Sequence, residues 1–126
     1  MGVFERRIRV SGPTRQVWRE LDAVIDTGSD HCQIPRDVLE AVGAPIDIHT
    51  TVLLPNAREI PVDIASITLQ FDEYTFGTTA YVGPMGGPVL VGAYALGQMG
   101  LGVDPGGEKL IHKVLHLLRF ANWPTA

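Results

Sequence analysis

Short stretches in which apolar and polar residues alternate recur along most of the chain, and turns rich in glycine and proline separate them. Alternation with a period of two is typical of strands that have one buried and one exposed face. The clearest case is the segment 60–71, where Ala65, Ile67 and Leu69 alternate with polar residues and one wet face is expected. Alternating or wholly apolar runs predict strands at residues 3–10, 16–25, 48–54, 60–71, 74–82 and 89–91.

Two segments have helical spacing instead. In residues 35–42, Pro35 suits the first helical position and Gly43 suits a C-terminal cap. Residues 93–99 form the second predicted helix, and Gly100 is its predicted stop. The last apolar segment, residues 110–120, fits either a strand or a short helix. Many short strands with two short helices and frequent turns predict an all-β fold that closes on itself.

The length and composition of the chain favour one folded domain. Its 126 residues, of which 45% are hydrophobic, suffice for one core and leave little room for a second. We therefore expect a single domain over residues 1–126. The 14 glycines and 9 prolines follow no repeat, which favours turns between short strands over a helical bundle.

The charge pattern argues against a nucleic-acid partner. The net charge is −4 and the pI is about 5.4, whereas nucleic-acid-binding proteins usually carry a basic face. Arg6, Arg7 and Arg9 form a short basic run, which we interpret as the solvated face of a strand.

Cysteine usage and the N-terminal residues predict a cellular setting. With one cysteine, Cys32, the chain cannot form an intramolecular disulfide. The first ten residues carry several charges and no long apolar run, which predicts neither a secretory signal nor a membrane span. We therefore expect a cytoplasmic protein with no membrane partner, in which Cys32 packs as a small apolar residue.

The sharpest chemical feature is the triplet Asp26-Thr27-Gly28, which directly follows the apolar residues 23–25. Such a triplet occurs by chance in roughly 2–3% of chains of this length, so its context matters more than its presence. An acid in this place stands at the end of a buried strand, where we expect it to be partly desolvated. The alternative is an ordinary turn, in which Asp26 caps the turn and Gly28 supplies a positive φ. This segment alone leaves both readings open.

A second motif lies further along the chain. The apolar residues 89–91 end at Gly92, and a predicted helix and the segment 101–104 follow. With the Asp26 triplet, this order resembles the retropepsin-like aspartic proteases, the family of retroviral proteases and their cellular relatives. In that family a strand ending in Asp-Thr-Gly meets a later apolar-apolar-Gly strand that leads into a helix. The resemblance extends over about residues 3–118, and it implies that Gly92 closes the chain crossing beneath the catalytic loop.

The resemblance implies a closed retropepsin-like acid protease barrel with one or two short helices, a single lobe that acts as half of a dimer. In the implied chemistry two carboxyls share one proton, so that one activates a water and the other polarises the scissile carbonyl. This chain has one such motif and is too short for a second lobe. The second Asp26 must therefore come from a second copy across a two-fold axis. The expected activity is that of a homodimeric aspartic endopeptidase on extended peptides, with no cofactor.

The resemblance also implies roles within the loop. Asp26 would be the catalytic carboxylate, Thr27 would hydrogen-bond across the dimer axis, and Gly28 would let the backbone approach the carboxylate and the substrate. Ser29 would line the substrate site, with a hydroxyl that donates to the Asp26 carboxylate. Asp30 stands where the family often has an acid paired with an arginine, and we expect it to contact substrate.

A hairpin flap over the substrate is implied as well. Its tip would be residues 55–59, from which Asn56, Ala57 and Arg58 would contact substrate. The alternative is an ordinary surface hairpin. The chain departs from the family in two places, since this tip has no glycine and Ala93 stands where the family often has arginine.

The terminal strands usually form the shared sheet of the dimer in this family. Leu115, Leu117, Leu118 and Phe120 would supply apolar contacts there. The alternative is that these side chains fill the core of their own subunit.

Two other functions remain open from the sequence. The first is a catalytically weak or inactive retropepsin-fold module for peptide binding or dimerisation, which the missing glycine and arginine support. The second is a zinc enzyme that uses His112 and His116, which have helical spacing. A zinc protease would need glutamate where Lys113 stands, and no third ligand is evident, so we expect no metal site.

Overall fold

The computed structural model describes residues 3–104, 106, 109–113 and 115–116. Within this part of the chain the fold is mostly β with two short helices, which confirms the predicted all-β class. The elements in chain order are β1 Val3–Ser11, β2 Trp18–Asp26, β3 Cys32–Pro35, α1 Arg36–Ala41, β4 Ile46–Leu53, β5 Glu59–Phe71, β6 Tyr74–Gly83, β7 Leu90–Val91, α2 Ala93–Gln98, β8 Leu101–Val103 and β9 Leu110–His112.

Seven strands form one sheet in the order β1-β2-β7-β3-β6-β5-β4. β1 pairs along its whole length with β2 and pairs again with β5, where Val10 lies opposite Leu69. β4 and β5 form a long antiparallel hairpin at the other end of this order. β8 and β9 form a separate two-stranded sheet.

The core lies between the inward faces of these strands and the two helices. β5 contributes the residues that the alternation predicted as buried, and Ile67 and Leu69 are almost fully enclosed. Leu39 from α1 and Leu96 from α2 close the core, and burial of each such side chain contributes about 1.5–3 kcal/mol. The opposite face of β5, which was expected to be exposed, is partly buried, since Thr68 is only 2% exposed. β1 covers Thr68, and the Thr68 hydroxyl donates to the Gly12 carbonyl.

Glycines end both helices as the sequence predicts. Gly43 has φ 70° and Gly100 has φ 67°, a left-handed conformation that glycine adopts without steric cost. Pro35 is placed one position earlier than expected. It is the last residue of β3 and the N-cap of α1, where its extended ψ of 145° turns the chain into the helix.

Arg7 and Arg9 face solvent as predicted, whereas Arg6 does not: its side chain is 31% exposed, it pairs with Asp72, and its Nε is buried without a partner among the described residues. Arg7 is exposed and forms ion pairs with Glu20 and Asp22 on β2, and the guanidinium of Arg9 lies 4.6 Å from the centre of the Trp18 ring. Within the described residues, neither helix has the length and hydrophobicity needed to cross a membrane.

Cys32 is buried in the core, as expected for a small apolar side chain. Burial raises the pKa of its thiol to about 11, although a backbone hydrogen bond at Gly92 acts in the opposite direction. The thiol therefore stays protonated at neutral pH and is a poor nucleophile.

The predicted C-terminal segment is described only in part. β9 begins it as a strand at Leu110–His112, and Leu115 is 66% exposed. Leu117, Leu118 and Phe120 lie outside the described residues.

Candidate active site

Asp26 ends β2 and opens a tight turn, residues 26–31, which we call the Asp26 loop. The Gly28 amide donates to Oδ1 of Asp26 at 2.9 Å, and the Ser29 amide donates to its main-chain carbonyl at 3.2 Å. The buried Ile25 anchors the loop in the core. Asp26 is half-buried, while Thr27 and Gly28 are exposed. Asp26 thus does cap a turn, although Gly28 lacks the positive φ that an ordinary turn predicts.

The two sequence motifs are in direct contact. β7 runs parallel to β2, so that Leu90 lies opposite Val24 and Val91 opposite Ile25. The amide of Ala93 then donates to the Ser29 carbonyl at 2.8 Å. The chain leaving β7 therefore passes directly against the Asp26 loop and holds it by main-chain hydrogen bonds.

Gly92 makes this close crossing possible. A Cβ on Gly92 would lie 2.6 Å from the carbonyl oxygen of Asp30 and closer still to that of His31. The φ of Gly92 is −94°, which any residue can adopt, so space rather than backbone conformation requires a glycine here.

The Ser29 hydroxyl is placed differently from the sequence expectation. It donates to the main-chain carbonyl of His31 at 2.8 Å and not to the Asp26 carboxylate. A short side chain that follows a turn can bond to the backbone two residues on. Ser29 therefore stabilises the loop itself.

An aromatic cluster next to the loop was not predicted. The ring of His31 makes edge contacts with Tyr81 and Tyr94, at centroid distances of 4.8 and 5.0 Å, and its Nδ1 lies 2.8 Å from the Thr79 hydroxyl. Burial raises the pKa of Tyr81, and the negative charge of Asp30 raises it further. The only sequence signal was that Ala93 and then Tyr94 stand directly after Gly92.

A groove of about 580 Å³ lies between the Asp26 loop and the β4–β5 hairpin, and we call it the loop–hairpin groove. Three residues of the loop line it, together with hairpin residues and the end of β6. Asp26 and Thr27 are not among the lining residues of the single chain, so the groove begins at Gly28, beside the carboxylate. The lining consists of Gly28, Ser29, Asp30, Gln33, Thr51, Val52, Leu53, Leu54, Ile60, Val62, Tyr81, Val82, Gly83 and Pro84.

The tip of the hairpin lies beyond this lining. Asn56, Ala57 and Arg58 form the turn, in which the Arg58 amide donates to Oδ1 of Asn56 at 3.1 Å. The Leu54 amide donates to the Arg58 carbonyl at 2.8 Å and closes the turn. The three tip residues do not line the groove of the single chain, and their contact with substrate stays a prediction.

Ala57 takes the conformation that the missing glycine would favour, with φ 64°. A left-handed conformation costs an L-residue about 1–2 kcal/mol. Ala57→Gly removes this strain and adds flexibility to the unfolded chain, so the free energy of unfolding should rise by at most about 1 kcal/mol. Urea denaturation at fixed protein concentration measures the change. Ala41→Gly, in α1, is the matched control and should destabilise by about 0.5–1 kcal/mol. Equal destabilisation by both substitutions would contradict strain at the tip.

A charged cluster joins the hairpin to α1. Asp63 on β5 accepts from His49 on β4 at 2.6 Å and from Arg36 at 3.2 Å. These two bonds, led by the one from His49, lower the pKa of the Asp63 carboxyl. The cluster fixes the base of the hairpin, whereas the tip has no comparable tie within the described residues.

The zinc alternative loses its geometric basis. His112 lies in the strand β9 and His116 in irregular structure, so the two histidines do not share a helix face. No group of three potential ligand side chains that could hold a metal occurs among the described residues.

Comparison with protein-family models and with curated proteins gave no match for this chain. The sequence motifs and the geometry of the site are therefore the basis of the functional assignment.

Proposed function

We propose that this chain is one subunit of a homodimeric aspartic endopeptidase of the retropepsin-like type. The observation that carries the proposal is the contact between the two motifs, in which the Asp26 loop rests on the crossing at Gly92. That contact forms beside a groove that a hairpin borders. The second pairing of β1, with β5, supports the closed barrel of that fold, because it joins the first six strands of the sheet order into a ring.

The chemistry requires two copies of Asp26. In the proposed dimer the two carboxyls share one proton and hold a water between them. The ionised carboxylate takes a proton from this water, and the protonated carboxyl polarises the scissile carbonyl. The Gly28 amide orients each carboxylate through Oδ1. Thr27 is exposed beside it, which leaves this side chain available for contact with the partner subunit.

An extended peptide suits the groove. The hairpin strands offer backbone groups for β-type pairing with substrate, and apolar residues such as Val52, Ile60 and Val62 provide surfaces for its side chains. The protease would act in the cytoplasm, where its single buried cysteine stays reduced.

Cleavage of a mixed peptide library between acidic and neutral pH tests the proposal. We expect activity that rises faster than linearly with protein concentration, since dimerisation creates the site. Sedimentation on the same samples should show the dimer over the same concentration range. Specific activity that does not depend on concentration while the protein is monomeric would contradict the dimeric mechanism.

A binding module of the same fold is the second candidate, and the strained tip at Ala57 favours it. A tip without glycine resists the backbone rearrangement that flap closure requires. A folded dimer that binds the library peptides but cleaves none at any pH would support this candidate over the protease.

A further inference from the structure

Among the described residues that line the loop–hairpin groove, one side chain is of a charged type. This residue is Asp30, and the hairpin side is mostly apolar, with Val52, Leu54, Ile60 and Val62 beside Thr51. Asp30 is exposed in the free chain, and a peptide that fills the groove excludes water from it, where a charge attracts an opposite charge more strongly than on open surface. The half-buried carboxyl of Asp26 at the start of the same loop adds to the acidic character of this region.

The main chain fixes the position of Asp30. The Tyr94 amide donates to its carbonyl at 2.9 Å, and Gly92 packs against that same carbonyl. Within the described residues, no nitrogen of lysine, arginine or histidine lies within 4.0 Å of the Asp30 carboxylate. The main chain of Asp30 is therefore fixed beside the groove, and its carboxylate has no cationic partner in this part of the chain.

Tyr81 supplies a neutral polar group in the same groove. Burial and the charge of Asp30 both raise the pKa of Tyr81, so its phenol stays protonated from acidic to neutral pH. The phenol oxygen can accept a hydrogen bond, and an ammonium group has three donors. A cation that reaches Asp30 thus finds a second acceptor in the groove.

We propose that Asp30 makes the groove selective for peptides in which a lysine or arginine stands near apolar residues. The methylene groups of the basic side chain lie along the apolar wall, and the cation pairs with the Asp30 carboxylate. This inference rests on the proposed function, because it assigns a substrate class to the same groove.

The test uses capped decapeptides with a central Phe-Phe pair, in which one flanking position at a time carries lysine, norleucine or glutamate. Cleavage by the wild type gives kcat/KM, and calorimetric titration of the Asp26→Asn protein gives binding without cleavage. At one position or more we expect lysine to be preferred over norleucine by about fivefold to tenfold, as for a partly desolvated ion pair. Glutamate should be the poorest residue there. Asp30→Asn should bring lysine and norleucine to within about twofold of each other.

Glu73→Gln is the matched control. Glu73 is exposed in the turn after β5, at the far end of that strand from the groove, so its loss should leave the lysine preference unchanged. Equal loss of the preference in Glu73→Gln and Asp30→Asn would indicate an effect of net charge and overturn the proposal. A wild type without lysine preference at any position, or a preference that survives Asp30→Asn, would overturn it too.

Failure of the proposed function has a different signature. If the lysine peptides bind preferentially through Asp30 and none is cleaved, the selectivity for basic peptides is supported and the proposed protease activity is contradicted. If peptides are cleaved at the same rate with or without the basic residue, the protease activity is supported and the role of Asp30 is contradicted. A folded protein that binds no peptide overturns both.

Discussion

Asp26→Asn should abolish peptide cleavage while leaving the fold intact. Asparagine retains an oxygen that can accept from the Gly28 amide, so the turn keeps its hydrogen bond. In the proposed dimer it can neither take a proton from water nor share one with the second subunit, and loss of a residue that acts in such a unit lowers kcat by about a thousandfold or more. The measurement is kcat/KM on the best substrate of the library. Asp22→Asn, an exposed position on the same strand, is the control and should remain active.

Mixtures of the wild type with Asp26→Asn test whether activity requires a dimer. When wild type and Asp26→Asn are unfolded together in equal amounts and refolded, random pairing leaves about a quarter of the dimers with two intact Asp26 residues. Activity should therefore follow the square of the wild-type fraction. A linear decline would mean that each chain works alone, and it would contradict the shared site even if Asp26→Asn itself were inactive. Mixtures with Asp22→Asn should keep full activity at every ratio.

The strands that could be predicted are those whose burial follows the local pattern. β5 was expected at residues 60–71 and spans Glu59–Phe71, because apolar and polar residues alternate in its second half, although Ile64 and Thr68 on the other face are buried as well. β3, Cys32–Pro35, was not predicted. Four residues are too few for a period, and this segment is a strand because β6 and β7 pair with it from distant parts of the chain.

The main-chain arrangement of the candidate site could be predicted from the sequence better than the contacts of its side chains. The triplet at Asp26 and the apolar run before Gly92 are visible as motifs, and their contact follows from the parallel pairing of β2 with β7. The bond from Ser29 to the His31 carbonyl depends on a rotamer choice that no sequence period encodes. The contact of His31 with Tyr81 likewise depends on the long-range pairing of β3 with β6, which was not foreseen.

Gly92→Ala should damage both stability and activity, because it inserts a methyl group where main-chain carbonyls leave no room. The carbonyls of Asp30 and His31 belong to the Asp26 loop and cannot turn aside as a flexible side chain would. The loop and the chain after β7 must separate, which weakens the bond from the Ala93 amide to Ser29. We expect a loss of about 2–4 kcal/mol in the free energy of unfolding, as for other overpacked sites at the upper end of the range. Urea denaturation at fixed protein concentration measures it.

Gly97→Ala provides the opposite control within the same region. Gly97 is exposed in α2, and a Cβ there meets no atom within 4 Å, so alanine should stabilise the helix by about 0.5–1 kcal/mol. Where Gly92→Ala still folds at low temperature, its kcat/KM should fall more than its folded fraction does, since displacement of the loop would move Asp26 relative to its counterpart in the proposed dimer. A Gly92→Ala protein as stable and as active as Gly97→Ala would show that the crossing does not position the Asp26 loop, and the proposed site would lose its main structural support.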